Sequence, residues 1–147
     1  FIEELPLDGA PVLDVGAGSG ILSIAAILAG ASSAVAVEID SVAARVLRAN
    51  VALNDLSDMV QVIVGDAATA LPEGETFPVV FANIIARILA DNAAQIAARV
   101  APGGSLIASG IIEEREQLVL DAYAVHGLQP VGRKSGGDWV TLHLRRA

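Results

Sequence analysis

The amino-acid sequence predicts an α/β fold in which helices cover both faces of a mostly parallel β-sheet. Hydrophobic residues make up 54% of the 147 residues, and they are chiefly Ala, Val, Ile and Leu rather than aromatic residues. Strands buried between two layers of helices have this composition. Short apolar runs alternate with segments of helical period, and the length suits one domain with an ample core.

The individual elements follow from apolar runs bounded by Gly, Pro, Asn and Asp. The strands predicted in chain order are Pro11–Val15, Ser33–Ile39, Val60–Val64, Phe77–Ala82, Ser105–Ser109, Leu128–Gly132 and Trp139–Leu144. The last two are close enough in sequence to pair as an antiparallel hairpin. The predicted helices are Gly20–Ala29, a helix capped by Ser41, Arg87–Val100 and Glu113–His126, with a turn at Ala101–Gly104.

Two of these helices have a recognisable apolar face. In the helix after Ser41, the apolar residues at helical spacing are Val42, Val46, Ala49 and Leu53. In the next helix the apolar face is Leu89, Ala93, Ile96 and Val100, and the outward, solvated face is Arg87, Asp91, Gln95 and Arg99.

The first strand ends in a glycine turn, Gly16-Ala17-Gly18-Ser19-Gly20, with Asp14 two residues before it. Strand, glycine turn and helix together form a site for a small molecule. The spacing is not the Gly-x-Gly-x-x-Gly of dinucleotide folds, and an acid beside the turn would repel a pyrophosphate. S-adenosylmethionine carries an ammonium and a sulfonium but no phosphate, so an acidic turn favours it. A tight turn in an unrelated α/β protein is the alternative.

Acidic residues end the second and third strands. Glu38 lies about twenty residues beyond the glycines, where a carboxylate can accept hydrogen bonds from both ribose hydroxyls of an adenosine. Asp40 is less well placed, because it stands where a helix cap is expected. Asp66 could accept from the exocyclic amine of adenine while the Ala67 amide meets a ring nitrogen. A plain Gly-Asp turn is the alternative for Asp66.

Asn83 follows the fourth strand and stands between apolar residues. At the carboxyl end of a central strand it would face the crevice where such folds bind ligands, and its amide oxygen could accept from a substrate amine. A buried asparagine that holds a turn is the alternative. His126 and His143 are far apart and lack a supporting acidic pair, so no metal site is predicted.

Charge and composition restrict the partners. The formal net charge of −8 argues against direct binding of nucleic acid and favours a basic protein partner. The absence of cysteine excludes disulfides and thiolate chemistry, and is compatible with a cytoplasmic protein. The apolar runs are shorter than the roughly 20 residues that cross a bilayer, so no membrane association is expected.

With the whole order in view, the chain resembles class I S-adenosylmethionine-dependent methyltransferases. More narrowly it resembles the PrmA family, the bacterial methyltransferases of ribosomal protein L-eleven. The glycine motif marks the superfamily, and the later segments are more specific in combination. The segments that carry the resemblance are Leu13–Ala26, Val37–Asp40, Ala82–Ala86, Pro102–Gly104, Ser109–Ile112 and Asp138–Val140.

The resemblance implies a Rossmann-like three-layer sandwich whose seven-stranded, mostly parallel sheet has an antiparallel last strand, as a single domain over residues 1–147. It implies methyl transfer from S-adenosylmethionine to a lysine ε-amine or an N-terminal α-amine of a ribosomal protein, with Asn83 as the catalytic residue. The candidate cofactor-binding residues are Asp14, Gly16, Ala17, Gly18, Gly20, Ile21, Glu38, Ile39, Asp66, Ala67 and Asn83.

The sequence departs from the family pattern in two respects. Glu38 stands where the family usually has Asp, and the longer carboxylate can make the same bonds. The family's upstream substrate-recognition domain and its Phe-Gly-Thr-Gly and His-x-Thr-Thr stretches have no counterpart, so a catalytic domain without its targeting domain is expected. A methyltransferase of another protein or of a small molecule, and a catalytically silent S-adenosylmethionine-binding module, are the alternatives.

Overall fold

The computed structural model describes residues 1–147 and contains a single seven-stranded sheet. The strands are β1 Pro11–Val15, β2 Ser33–Glu38, β3 Val60–Val64, β4 Phe77–Asn83, β5 Val100–Ile112, β6 Leu128–Gly136 and β7 Trp139–Arg146. The α-helices are α1 Ile21–Leu28, α2 Ser41–Leu53, α3 Ala86–Asp91, α4 Ala93–Ala98 and α5 Glu116–Ala124. Short 3-10 turns lie at Ile2–Glu4 and Glu113–Arg115. Even α2, with 13 residues, is too short to cross a membrane, and no other helix meets the requirement.

The order of strands across the sheet is β3-β2-β1-β4-β5-β7-β6. Pairs among β1 to β5 are parallel, whereas β7 runs antiparallel to both β5 and β6. The predicted fold class and the reversed last strand are therefore confirmed. Because the chain leaves β1 toward β2 and returns past it to β4, a crevice forms between the carboxyl ends of β1 and β4.

Two buried layers flank the sheet, as the aliphatic composition predicts. One cluster of 22 residues lies beneath α3, α4 and α5, and a second of 16 residues lies beneath α1 and α2. Alternate residues of β1 supply both layers, since Val12 belongs to the second cluster and Leu13 to the first. The rigid two-sided core fixes the ends of the central strands, and hence the crevice, in place.

The junction between β2 and α2 differs from the prediction by one residue at each side. The strand ends at Glu38 rather than Ile39. Asp40, not Ser41, caps the helix, because it has the extended backbone of an N-cap and its side chain accepts from the Val42 amide at 2.9 Å. The capping interpretation of Asp40 is confirmed.

The predicted apolar face of α2 is wrong. Val42, Val46 and Leu53 are 56%, 50% and 81% exposed. The buried residues are instead Ala44, Leu47 and Val51, which have the same helical spacing. Docking selects this second stripe, because the Leu47 side chain fills the space that a side chain on Gly20 would occupy.

The predicted helix Arg87–Val100 is divided in two. Asn92 separates α3 from α4 with φ −107° and ψ 16°, and its side-chain amide donates to the Ile88 carbonyl at 2.9 Å. Asparagine competes in this way with the helical hydrogen bonds. The apolar face is buried as predicted, but Arg99 is only 6% exposed, so its placement on the solvated face is wrong.

Three further element boundaries are corrected. The segment Ala101–Gly104, expected to be a turn, is an irregular part of β5. The register of its pairing with β4 shifts there, from Phe77↔Val100 to Val79↔Ser105. The last helix begins as a 3-10 turn and becomes α-helical only at Glu116. The final hairpin is longer than predicted, with Gly136 paired to Trp139.

The buried face of α2 gives a first prediction. Leu47→Ala should lower the free energy of unfolding by about 2–5 kcal/mol, because it deletes a fully buried side chain and leaves a cavity. Its neighbour Val46 is half exposed, and Val46→Ala should change that free energy by less than about 0.5 kcal/mol. Urea unfolding of both variants makes the comparison, and equal losses would contradict the observed orientation of the helix.

Candidate functional site

The glycine turn lies against the segment that follows β4. Gly16 has φ +69°, and a Cβ there would stand 2.6 Å from Cγ2 of Ile84, so only glycine permits this approach. The amides of Gly16 and Ala17 both donate to the Val37 carbonyl, at 2.9 and 3.1 Å. These contacts join the ends of β1, β2 and β4 at the crevice.

Two carboxylates of the chain occupy amides of the glycine turn and of the first turn of α1. Asp14 accepts from the Ser23 amide at 3.1 Å and from the Ser23 hydroxyl at 2.7 Å. Glu38 accepts from the Gly18 amide at 2.9 Å through Oε1 and from the Asp40 amide at 3.0 Å through Oε2. A phosphate bound at such a turn would need these amides and would meet two negative charges.

Asp14 is buried beneath the turn, with 1% of its surface exposed. Burial raises the pKa of its carboxyl to about 6, and the negative charge of Glu38 adds to the rise, while the two hydrogen bonds from Ser23 oppose it. In this position Asp14 acts on the turn through Ser23 and through its charge rather than as part of a cavity wall.

A cavity of about 190 Å³ opens beside Gly16. Pockets that enclose a whole drug-sized ligand measure about 300–1,000 Å³, so this one suits a single ring system. Its lining contains no basic residue, and most of it is apolar. The lining residues are Val15, Gly16, Val37, Ile39, Gly65, Asp66, Ala67, Ala68, Ile84, Ile88, Asn92, Gln95 and Ile96.

Asp66 forms a local turn and also borders the small cavity. Its Oδ1 accepts from the Ala68 amide at 2.7 Å, so the residue does form a local turn. The residue is exposed and lines the cavity. A carboxylate has lone pairs on two oxygens, so the turn leaves acceptor capacity for a donor inside the cavity.

Asn83 lies outside this cavity. It is exposed at the end of β4 and borders a groove of about 710 Å³ between α1 and the sheet. The hydroxyls of Ser109 and Thr141, 2.9 Å apart, line the same groove. Because Asn83 is exposed, the alternative interpretation of a buried asparagine that holds a turn does not apply. Ile84, the next residue, lines the smaller cavity, so one short segment borders both spaces.

The remaining predicted residues lie around the turn rather than in either space. Ala17 is buried, Gly20 caps α1 in a left-handed conformation with φ +85°, and Ile21 is 67% exposed. The cavity also includes residues that sequence reasoning missed, chiefly Ile84 and Ile96. Ile84 could have been predicted to line the cavity, because it follows Asn83 in the same motif. Nothing in the sequence marks Ile96 as a cavity residue beyond its place on an apolar helix face.

Comparison with known proteins gives consistent matches. The family described as ribosomal protein L11 methyltransferase (PrmA) matches residues 1–147. A protein of that name from Pelobacter propionicus is 45% identical, over 100% of this chain and 48% of its own length. One from Carboxydothermus hydrogenoformans is 40% identical, over 99% and 48%. The chain thus spans about half the length of the curated relatives it matches.

Solved structures agree with these matches. A ribosomal protein L11 methylase from Lactobacillus delbrueckii has a TM-score of 0.89 and 30% identity, over 99% of this chain and 75% of that one. An RNA methyltransferase from Salinibacter ruber, crystallised with S-adenosylhomocysteine, has a TM-score of 0.74 over 95% of this chain and 82% of that one. At 16% identity the second likeness concerns the fold alone.

The buried Asp14 predicts a pH-dependent stability. Its folded-state pKa of about 6 lies above the ordinary value of 3.8 for an aspartate, so the folded state binds the proton more tightly and ionisation destabilises the fold as the pH rises toward 6. The advantage of Asp14→Asn over the parent should therefore grow by on the order of 1 kcal/mol between pH 5 and pH 7.5.

Denaturant unfolding at the two pH values measures this difference. Any constant offset from the altered hydrogen bond to Ser23 cancels, because only the change with pH is compared. Asp58→Asn, at an exposed position, controls for the loss of one negative charge. A difference between Asp14→Asn and the parent that stays constant with pH would show that Asp14 does not titrate in this range.

Proposed function

This chain belongs to the family of ribosomal protein L11 methyltransferases, and we propose that it transfers a methyl group from S-adenosylmethionine to amino groups of a ribosomal protein. The observation that carries the proposal is the occupation of the Ser23 and Gly18 amides by Asp14 and Glu38. This arrangement favours a nucleoside ligand that carries positive charge and no phosphate.

The residues around the crevice fit the adenosine half of such a cofactor. Apolar side chains of Val37, Ile39 and Ile84 would hold the faces of the base in the small cavity. Glu38 uses each oxygen once within the chain and retains a lone pair on each for the ribose hydroxyls. Asp66 would accept from the exocyclic amine, and the Ala67 amide would meet a ring nitrogen.

The position of Asn83 supports a role in orienting the acceptor amine toward the methyl group of the cofactor. S-adenosylmethionine would supply a methyl group on its sulfonium sulfur: the N–C bond forms as the S–C bond breaks, and the sulfur leaves as the neutral thioether of S-adenosylhomocysteine. A lysine amine has a pKa of about 10.4 in water and must first lose a proton, to water, before it can attack. The Asn83 side-chain oxygen would accept one N–H of the neutral amine and so orient its lone pair. Positioning of two reactants can lower the activation free energy by roughly 7–11 kcal/mol at best.

Family membership and charge support a ribosomal protein as the methyl acceptor. The chain carries 17 acidic and 9 basic residues, so a basic ribosomal protein would be attracted to it. A ribosomal substrate would also place the enzyme in the cytoplasm. Amino groups are proposed as acceptors because an exposed amide oxygen at Asn83 suits an N–H donor.

Cofactor binding tests the proposal first. The parent chain should bind S-adenosylhomocysteine in calorimetric titration and should not bind NAD at the same concentration. Glu38→Ala should weaken the binding by about 1.5–3 kcal/mol, because a charged acceptor of two hydroxyls is lost.

Asp40→Ala provides the matched control for Glu38→Ala. It removes a neighbouring carboxylate and should lower fold stability by about 1 kcal/mol through loss of the α2 cap, while the affinity for S-adenosylhomocysteine stays unchanged. Equal affinity losses in the two variants would assign the effect to charge alone. Preference for NAD over the adenosyl ligand would overturn the proposed cofactor.

Asn83→Ala tests the catalytic role. Turnover on the acceptor protein should fall about hundredfold, because the amine is no longer oriented, whereas the affinity for S-adenosylhomocysteine should change by less than about 1 kcal/mol. Methyl transfer from labelled S-adenosylmethionine to purified L11, beside a pool of metabolites, provides the assay. Exposed Asn54 at the end of α2 provides the control variant Asn54→Ala. Parallel losses of turnover and affinity would contradict this role for Asn83.

A further inference from the structure

Arg99 is a buried cation that has no carboxylate partner. Only 6% of its surface is exposed. The ion pairs of the structure involve Arg87, Arg133 and Lys134 instead. A charged group in such a place needs several hydrogen bonds to compensate for the water that it has lost. The Arg99 guanidinium obtains these bonds entirely from backbone carbonyls.

Four carbonyl oxygens receive these hydrogen bonds. Nη1 donates to Pro72 at 2.6 Å and to Glu75 at 3.3 Å, and Nη2 donates to Ala68 and Leu71, each at 3.3 Å. All four belong to the β3–β4 loop, residues 65–76, which contains no helix or strand. The planar fork of an arginine can reach several acceptors at once, which a lysine ammonium cannot do as well.

Apart from Arg99, the loop is attached through the Gly65 amide, which donates to the Glu38 carbonyl at 3.0 Å. Within it, the amides of Thr69 and Ala70 donate to the Asp66 carbonyl, at 3.0 and 2.7 Å. Leu71 is buried in the cluster beneath α3 to α5. Arg99 supplies hydrogen bonds to four residues of the loop from a single point. The guanidinium therefore helps to fix where the loop lies relative to the sheet.

Arg99 is also attached to the part of the small cavity that α4 contributes. It follows α4, and its amide donates to the carbonyl of Ile96, which lines the cavity. Gly65, Asp66 and Ala67 line the same cavity from the β3–β4 loop. Arg99 thus bonds to two lining residues, Ile96 through its amide and Ala68 through its guanidinium, although it is not itself part of the lining.

We propose that Arg99 is a positioning residue for nucleobase recognition, which holds the β3–β4 loop so that the Asp66 carboxylate meets the exocyclic amine of an adenine. The inference rests on the proposed function, because it takes the small cavity as the site of the base. It goes further in assigning adenine selectivity to a residue that does not touch the ligand.

Two nucleoside ligands separate this role from a purely structural one. S-adenosylhomocysteine has the amine, whereas S-inosylhomocysteine has a carbonyl oxygen in its place. The parent should prefer the first by at least about tenfold, because the second places an oxygen against the Asp66 carboxylate. In Arg99→Met the preference should fall to within about twofold of unity, while the affinity for S-inosylhomocysteine changes by less than about threefold.

Arg146→Met is the matched control. Arg146 donates to the carbonyls of Ala97 and Val100 at the same α4–β5 junction, at 2.9 and 2.8 Å, but it makes no bond to the β3–β4 loop. This variant should keep the parent's preference. Hydrogen exchange supplies a second readout: the amides of Thr69 and Ala70 should exchange at least about tenfold faster in Arg99→Met, with the amides of α2 unchanged.

If Arg99→Met does not fold, Arg99→Lys makes the same comparison with the charge retained, and its preference should lie between those of the parent and unity. An Arg99 variant that keeps the full preference for the amine overturns the role of Arg99 alone. A parent chain that binds neither ligand overturns the proposed function, and with it this inference. Equal affinity losses for both ligands would show that Arg99 only stabilises the fold.

Discussion

The structure depends on two carboxylates that accept hydrogen bonds from amides of the glycine turn and of the first turn of α1. Asp14 ties the end of β1 to the first turn of α1 through Ser23, and Glu38 ties the end of β2 to Gly18. These bonds hold the turn between the end of β1, the end of β2 and the start of α1. The same bonds decide the chemistry of the site, because amides that hold internal acids are not offered to a phosphate.

This arrangement opposes the stability of the fold. Asp14 is buried, and the rise of its pKa to about 6 measures how poorly its charge is accommodated. The two packed layers on either side of the sheet offset this cost. A buried charge that is retained at such a cost is typical of functional sites. Under the proposed function, the local field that weakens the fold would favour a ligand that carries a sulfonium and an ammonium.

The sequence predicted what local patterns determine. All seven strands appear where apolar runs stand between breakers, and the acidic residues lie at strand ends as expected, since Glu38 ends β2 and Asp66 follows β3. The failures concern choices made by tertiary contacts. Two stripes of α2 have equal periodicity, and packing of Leu47 beside Gly20 selects one of them. Arg99 has helical spacing with Arg87 and Asp91, yet its side chain points inward to four backbone carbonyls. Local spacing could not predict this orientation, because the four acceptors lie 24 to 31 residues away in the sequence.

The two spaces at the crevice are not independent. Asn83 borders the large groove and Ile84 borders the small cavity, and Ile84 is also the side chain that excludes a Cβ from Gly16. Asn83 is the last residue of β4 and Ile84 is bonded directly to it, so a displacement of one backbone displaces the other. Any movement of Ile84 would in turn alter the wall against which the base would lie. The position of the amide that would orient the acceptor is therefore linked to the contact that shapes the nucleobase cavity.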